Sequence, residues 1–198
     1  VLKRFLHEDI IEAGLDEAGR GCYAGPVYAA AVILPKDFYH PLLNDSKQVN
    51  EKNRNILRTY IEEHALAWSV AYCSVEEIES LNILKASFTA MHKAIDGLKK
   101  KPGFLLVDGN RFIQYKTMAH LCIVGGDAEY ASIAAASILA KTWRDEHMKK
   151  LHEEFPHYGW AHNKGYGTAE HRKAIEEHGL CTHHRKSFNI IPAQQKLF

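Results

Sequence analysis

The chain has 198 residues, 46% of them hydrophobic and 25% charged, which suits one folded domain with a full core and argues against disorder, a collagen repeat or a small disulfide scaffold. Lysine and arginine total 25 against 24 acidic residues, so at a net charge of +1 any binding to phosphate must come from a local patch. Cys22, Cys73, Cys122 and Cys181 are far apart with no Cys-x-x-Cys pair, and no apolar run approaches the roughly 18 residues of a membrane span. Reduced, mostly buried thiols and a cytoplasmic, monomeric protein are expected.

In chain order, Ile10–Leu15 is an apolar strand leading into Asp16-Glu17, and Pro26–Leu34 is a second, joined to it by the turn Ala18-Gly19-Arg20-Gly21. The polar loop Asn44–Lys47 precedes an amphipathic helix over Glu51–His64, where Ile56, Leu57, Tyr60 and Ile61 recur at helical spacing. Ala67–Cys73 reads as a third strand, Ser74-Val75-Glu76-Glu77 as a capping box, and the stretch beyond it as one helix to about Leu98. Phe104–Val107 and His120–Val124 are continuous apolar runs, the pattern of buried parallel strands. From Tyr130 the chain is strongly helical, with small residues that allow close approach to a sheet. Tyr158–Thr168 is glycine-rich, and Thr168 caps a helix ending near Gly179. The order gives a mixed α/β domain over residues 1–198, with a helical C-terminal part from about 155 onward.

Carboxylates stand at three strand ends: Asp16-Glu17, Asp108 and Asp127. Ligand crevices of open α/β sheets lie at strand ends, so these groups are candidates to converge. Clustered like charges are costly unless neutralised, and oxygen donors without His or Cys select hard ions such as Mg2+ or Mn2+. A two-metal site for phosphoryl displacement follows as the expectation. Taken singly, each aspartate is as well explained by turn capping. Gly19-Arg20-Gly21 offers amides that a phosphate can approach, although Gly-x-Gly is most often a plain turn. No P-loop or dinucleotide fingerprint is present. Cys181, His183 and His184, with His178 nearby, have no zinc spacing and read as surface residues. Lys164, Arg172, Lys173, Arg185 and Lys186 around Trp160 and Tyr166 read equally as a nucleic-acid patch or a solvated helix face.

Gly14–Gly21 with Gly25-Pro26-Val27, Asp45-Ser46-Lys47, Val107-Asp108-Gly109, Gly126-Asp127, Ser132–Lys141 and Lys164–Thr168 together resemble the ribonuclease HII (type 2 ribonuclease H) family, in the family's order and over nearly the whole chain. The resemblance implies a ribonuclease H-like sheet of three antiparallel then two parallel strands flanked by helices. It implies hydrolysis of the RNA strand of an RNA–DNA hybrid, and cutting on the 5′ side of a single ribonucleotide in duplex DNA. Asp16, Glu17, Asp108 and Asp127 would be the catalytic, metal-binding carboxylates for two divalent ions. Gly19, Arg20 and Gly21 would hold the ribonucleotide, Tyr166 would pack on the following sugar, and Lys47 would touch a backbone phosphate.

Glu129 departs from the family's pattern and is expected to cap the helix that follows. The first strand begins within about a dozen residues, so the additional N-terminal domain of the sister family, ribonuclease HIII, is expected to be absent. The tail Gln194–Phe198 resembles the Gln-x-x-Leu-Phe peptide with which bacterial replication and repair proteins dock on the sliding clamp, and clamp binding is the matching expectation.

Overall fold

Strand β1 (Glu12–Ala18) is the centre of a five-stranded sheet of order β3-β2-β1-β4-β5 in the computed structural model, which describes residues 2–43 and 49–190. Lys47 and the Gln194–Phe198 tail lie outside the described residues. On one side of β1, β2 (Val27–Ile33) and β3 (Ala67–Cys73) pair antiparallel. On the other, β4 (Phe104–Asp108) and β5 (His120–Ile123) pair parallel. This is the mixed sheet that the sequence implied.

Alternation along the strands supplies two cores, because successive side chains of a strand point to opposite faces. Ala13, Leu15, Val27, Ala29 and Ala31 pack with Ala86, Ala90, Met91 and Ala94 of helix α3 (Ile83–Asp96). Ala30 and Val32 pack on the other face with Leu57 and Ile61 of helix α1 (Glu51–His64) and Ala135, Ala136, Ile138 and Leu139 of helix α4 (Ala131–Glu154). Leu57 and Ile61 are wholly buried, each contributing about 1.5–3 kcal/mol by removal from water. The alanines of β2 keep both helical layers close. Gly14 permits the tightest approach: a Cβ there would lie 2.2 Å from the Ser132 carbonyl carbon of α4.

The boundaries that bear on the site differ from the sequence reading at β1 and after Ser74. β1 starts at Glu12, with Ile10 and Ile11 left partly exposed, and continues through Asp16, Glu17 and Ala18, which pair with Ala30, Ala29 and Tyr28. The acidic pair therefore sits within the strand, held by its ladder, and does not follow it. The single helix expected after Ser74 is two, α2 (Val75–Leu81) and α3. Asn82 breaks it: its positive φ of 68° with ψ 162° is outside any helical conformation, and its side chain accepts the Lys85 N–H to start α3. The capping box Ser74–Glu77 forms as expected, with both reciprocal bonds present.

After α4 the chain folds back through α5 (Trp160–Asn163) and α6 (Ala169–His178), the latter capped by Thr168, whose hydroxyl accepts the His171 N–H. Trp160, Tyr158, Ala174, Ile175 and Ile190 form a third core with Ala24 and Met148, which fixes this helical part to the β1–β2 connection and to α4. No helix among the described residues is long and apolar enough to cross a membrane.

Candidate active site

The C-terminal ends of β1 and β4 lie side by side, with Leu15 opposite Val107, so Asp16, Glu17 and Asp108 are brought to one edge. Asp16 is 5% exposed and accepts the Glu17 N–H at 2.7 Å. Asp108 accepts the N–H of Gly126 at 2.7 Å, which sets the buried Asp127 one residue beyond that bond in the 3-10 turn Gly126–Ala128. The four acidic residues separated in sequence thus share one end of the sheet.

Burial drives the Asp16 carboxyl well above the usual carboxylate range, and the charges of Glu17 and Asp108 push it further; a hydrogen bond with Ser137 of α4 opposes the shift. Burial also raises Glu17, against the attraction of Arg20, whose guanidinium donates to Glu17 at 3.1 Å. Among the described residues no three acidic, histidine or cysteine groups close on one point at metal-coordinating distance. The donor set nevertheless fits a hard divalent cation: the carboxylates are oxygen-only, Glu17 and Asp108 repel Asp16, and Arg20, half in solvent, pairs with Glu17.

Beside the carboxylates lies the Gly19–Gly21 turn. Gly19 has φ +93°, and a Cβ at this position would stand 2.0 Å from Nε of Arg144, so both conformation and space demand glycine. Tyr166 is 41% exposed near the turn, its ring 5.7 Å from Nζ of Lys141 and 6.0 Å from the Arg144 guanidinium carbon. Burial, followed by the neighbouring Cys22 thiol, raises the Tyr166 hydroxyl.

Three expectations change here. Trp160, Lys164 and Arg185 are buried, so the supposed basic and aromatic surface reduces to Arg172, Lys173, Lys186 and Tyr166. His184 is buried as well: its ring accepts the Cys181 N–H and packs against Tyr158 and Trp160, because the last core closes over it. Glu129 does not cap α4; its carboxylate pairs with Lys3 at 2.6 Å, and the N-cap of α4 is Tyr130, which makes no side-chain cap bond. Ser137 and Arg144 are the residues whose places at the site the sequence did not single out, and Arg185, read as part of a surface patch, is instead buried beneath the Gly19–Gly21 turn.

Solved structures share this fold. The ribonuclease H2 of Pyrococcus horikoshii matches with TM-score 0.79 at 22% identity, over 90% of this chain and 94% of that one. The structure of the PCNA:RNase HII complex from Archaeoglobus fulgidus matches with TM-score 0.74 at 23% identity, over 95% and 100%. Bst-RNase HIII in complex with Mn2+ matches at 0.69 and 20%, over 91% and 67%. The fold is ribonuclease H-like. The family model for ribonuclease HII matches residues 13–191, and ribonuclease HII proteins of Bacteroides fragilis and Porphyromonas gingivalis are 59% and 57% identical, over 100% and 96% of this chain and 99% and 95% of theirs. The chain belongs to the ribonuclease HII family.

Proposed function

We propose that the protein is a metal-dependent endoribonuclease that cleaves the RNA strand of RNA–DNA hybrids and cuts on the 5′ side of single ribonucleotides embedded in duplex DNA, leaving 3′-hydroxyl and 5′-phosphate ends. Such an activity serves ribonucleotide removal and primer clearance, in the cytoplasm and as a monomer of one catalytic unit that includes the C-terminal helical part. The observation that carries the reading is a buried Asp16, repelled by the half-buried Glu17 and Asp108, beside a glycine turn able to approach a sugar and a phosphate.

Asp16, Glu17, Asp108 and Asp127 would hold the ions, Mg2+ or Mn2+. Two such ions, when bound, supply activation of the attacking water and stabilisation of the departing 3′ oxygen. The Mn2+ in the ribonuclease HIII neighbour supports this choice. Ser137 would orient Asp16 by its hydrogen bond, and the β1 ladder holds Asp16 and Glu17 rigidly. Arg20, released from Glu17 once that charge is neutralised, would reach a substrate phosphate, with the Gly19 and Gly21 backbone against the 2′-hydroxyl. Tyr166 would stack on the next sugar, where a 2′-hydroxyl would crowd it. Lys47 would contact a phosphate. Gln194–Phe198 would dock on a sliding clamp; the complex of the Archaeoglobus fulgidus RNase HII with PCNA supports this reading.

The test incubates the protein with Mg2+ or Mn2+ and three labelled duplexes: one with a single ribonucleotide, one RNA–DNA hybrid and one all-DNA. Cleavage 5′ to the ribonucleotide and within the hybrid, absent from the all-DNA duplex and abolished by Asp16→Asn, is expected. Cutting of the hybrid alone would overturn the junction reading, and cutting of neither would overturn the nuclease reading. Deleting Leu197 and Phe198 should abolish capture on immobilised clamp; unchanged capture would dispose of the tail assignment.

A further inference from the structure

Two arginines are wholly buried among the described residues, and within these neither donates to a carboxylate. Arg144 of α4 donates from Nε to the Pro26 carbonyl at 2.9 Å, from Nη1 to that of Lys164 at 2.8 Å and from Nη2 to that of Ala24 at 3.0 Å. Arg185 donates from Nε to Gly25 O at 2.9 Å and from Nη1 to Arg20 O at 2.9 Å, while its own N–H bonds Tyr23 O. Burying a guanidinium without an anion is expensive, and an apolar side chain would fill the same space at lower cost. What the apolar side chain cannot do is hold several carbonyls in one plane at fixed separations, as the rigid fork of five donors does.

The carbonyls held by Arg144 come from two parts of the chain. Ala24 and Pro26 belong to the connection that begins with Gly19–Gly21. Lys164 immediately precedes the turn to Tyr166, and its backbone at φ 52° is left-handed, a conformation costly for lysine that the surrounding bonds sustain. The same guanidinium fills the space a Gly19 side chain would need and lies 6.0 Å from the Tyr166 ring centroid. One planar group therefore underlies both elements, and Arg185 secures the Gly19–Gly21 turn from its other side through the Arg20 carbonyl.

We propose that Arg144 is a positioning residue that sets the separation between the Gly19–Gly21 turn and Tyr166, and thereby the preference for a ribonucleotide followed by a deoxyribonucleotide. The proposal rests on the junction reading given under Proposed function. A uniform hybrid offers a 2′-hydroxyl at every RNA sugar and needs only the turn; the junction needs turn and tyrosine at a fixed distance. Geometry loosened by a fraction of an ångström penalises the substrate that uses both.

The experiment measures kcat and KM on the single-ribonucleotide duplex and on the uniform hybrid for wild type, Arg144→Lys, Arg144→Gln, Tyr166→Ala and the Arg144→Lys/Tyr166→Ala pair, with thermal midpoints for each. In Arg144→Lys, where one point-like ammonium replaces the fork, the ratio of single-ribonucleotide to hybrid cleavage should fall at least tenfold, chiefly in kcat. In the Tyr166→Ala background the same substitution should change that ratio less than twofold, the non-additivity expected of residues acting as a unit. Equal loss on both substrates, or an additive effect in the double variant, would overturn the assignment. Failure of both Arg144 variants to fold at the assay temperature would make Arg144 a residue of the fold only and would also overturn it. A wild-type protein without cleavage at the single ribonucleotide overturns the underlying reading first, which the wild-type lanes report independently of any variant.

Discussion

The carboxylate of Asp108 accepts the backbone N–H of Gly126 at 2.7 Å, so the last residue of β4 holds the turn that carries Asp127. Charge and hydrogen bond are separable here. Asparagine retains an acceptor oxygen but no charge; alanine retains neither. Asp108→Asn is expected to lower cleavage by at least about 100-fold, the scale of losing a major electrostatic element of a site, with little change in thermal midpoint. Asp108→Ala should lose a further ~1 kcal/mol of stability from the missing bond to Gly126. Activity assays beside thermal melts check both; equal midpoints in the two variants would remove the structural role.

Asp16 is a carboxylate that the fold holds at a cost. Its raised pKa means that the folded state disfavours the ionised form, so near neutral pH the charge destabilises the protein. Asp16→Asn should therefore raise stability by roughly 0.5–2 kcal/mol, the usual gain from relieving a strained functional group, while abolishing cleavage. Millimolar Mg2+ or Mn2+ should raise the wild-type thermal midpoint by binding the folded state alone, and raise that of Asp16→Asn less. A lower midpoint in the variant without metal would contradict the repulsion argued here.

His184 gives a prediction for acid. Burial first, and then neighbouring His171, lowers its pKa from 6.5 to about 4. Between those values the unfolded chain binds a proton that the folded chain refuses, so this contribution to stability is fully present above about pH 6.5 and is lost as the pH falls toward 4. The loss should be on the order of 1–3 kcal/mol, read as a falling thermal midpoint across that window. His184→Gln, which has no proton to gain, should show a shallower fall. Identical slopes would assign the acid sensitivity to other groups.

Gly14→Ala tests the seating of α4. The added Cβ would meet main-chain atoms of Ser132 and Ile133 at 2.2 to 2.4 Å, and backbone cannot rotate away as a side chain can. A loss of roughly 3 kcal/mol or more is expected, at the upper end of overpacking costs, with cleavage falling as Ser137 shifts from Asp16. Wild-type stability in this variant would show that β1 and α4 separate more easily than their packing implies.

Much of the site was legible in sequence because its signals are local. Two adjacent carboxylates ending an apolar strand, a glycine turn two residues later, and Thr168 three residues before His171 each announce themselves within a few positions. Asn82 was less legible: helical periodicity runs through it, and a single residue of positive φ leaves the apolar spacing undisturbed. Arg144, Lys164, Arg185 and His184 were misread or passed over because long polar side chains ordinarily mark solvent. Their burial is decided by segments that dock from far along the chain, such as Arg144 against Ala24, 120 residues away. Glu129 was assigned to its nearest helix, whereas its partner Lys3 is 126 residues away.

The bond from Arg185 to the Arg20 carbonyl spans 165 residues. During synthesis the Gly19–Gly21 turn leaves the ribosome long before its anchor, Arg185, has been made. Loop closure over such a distance waits for the intervening elements to fold. A growing polypeptide that already displays Asp16, Glu17, Asp108 and Asp127 still lacks the bond that secures this turn, which forms only after residue 185 has been made.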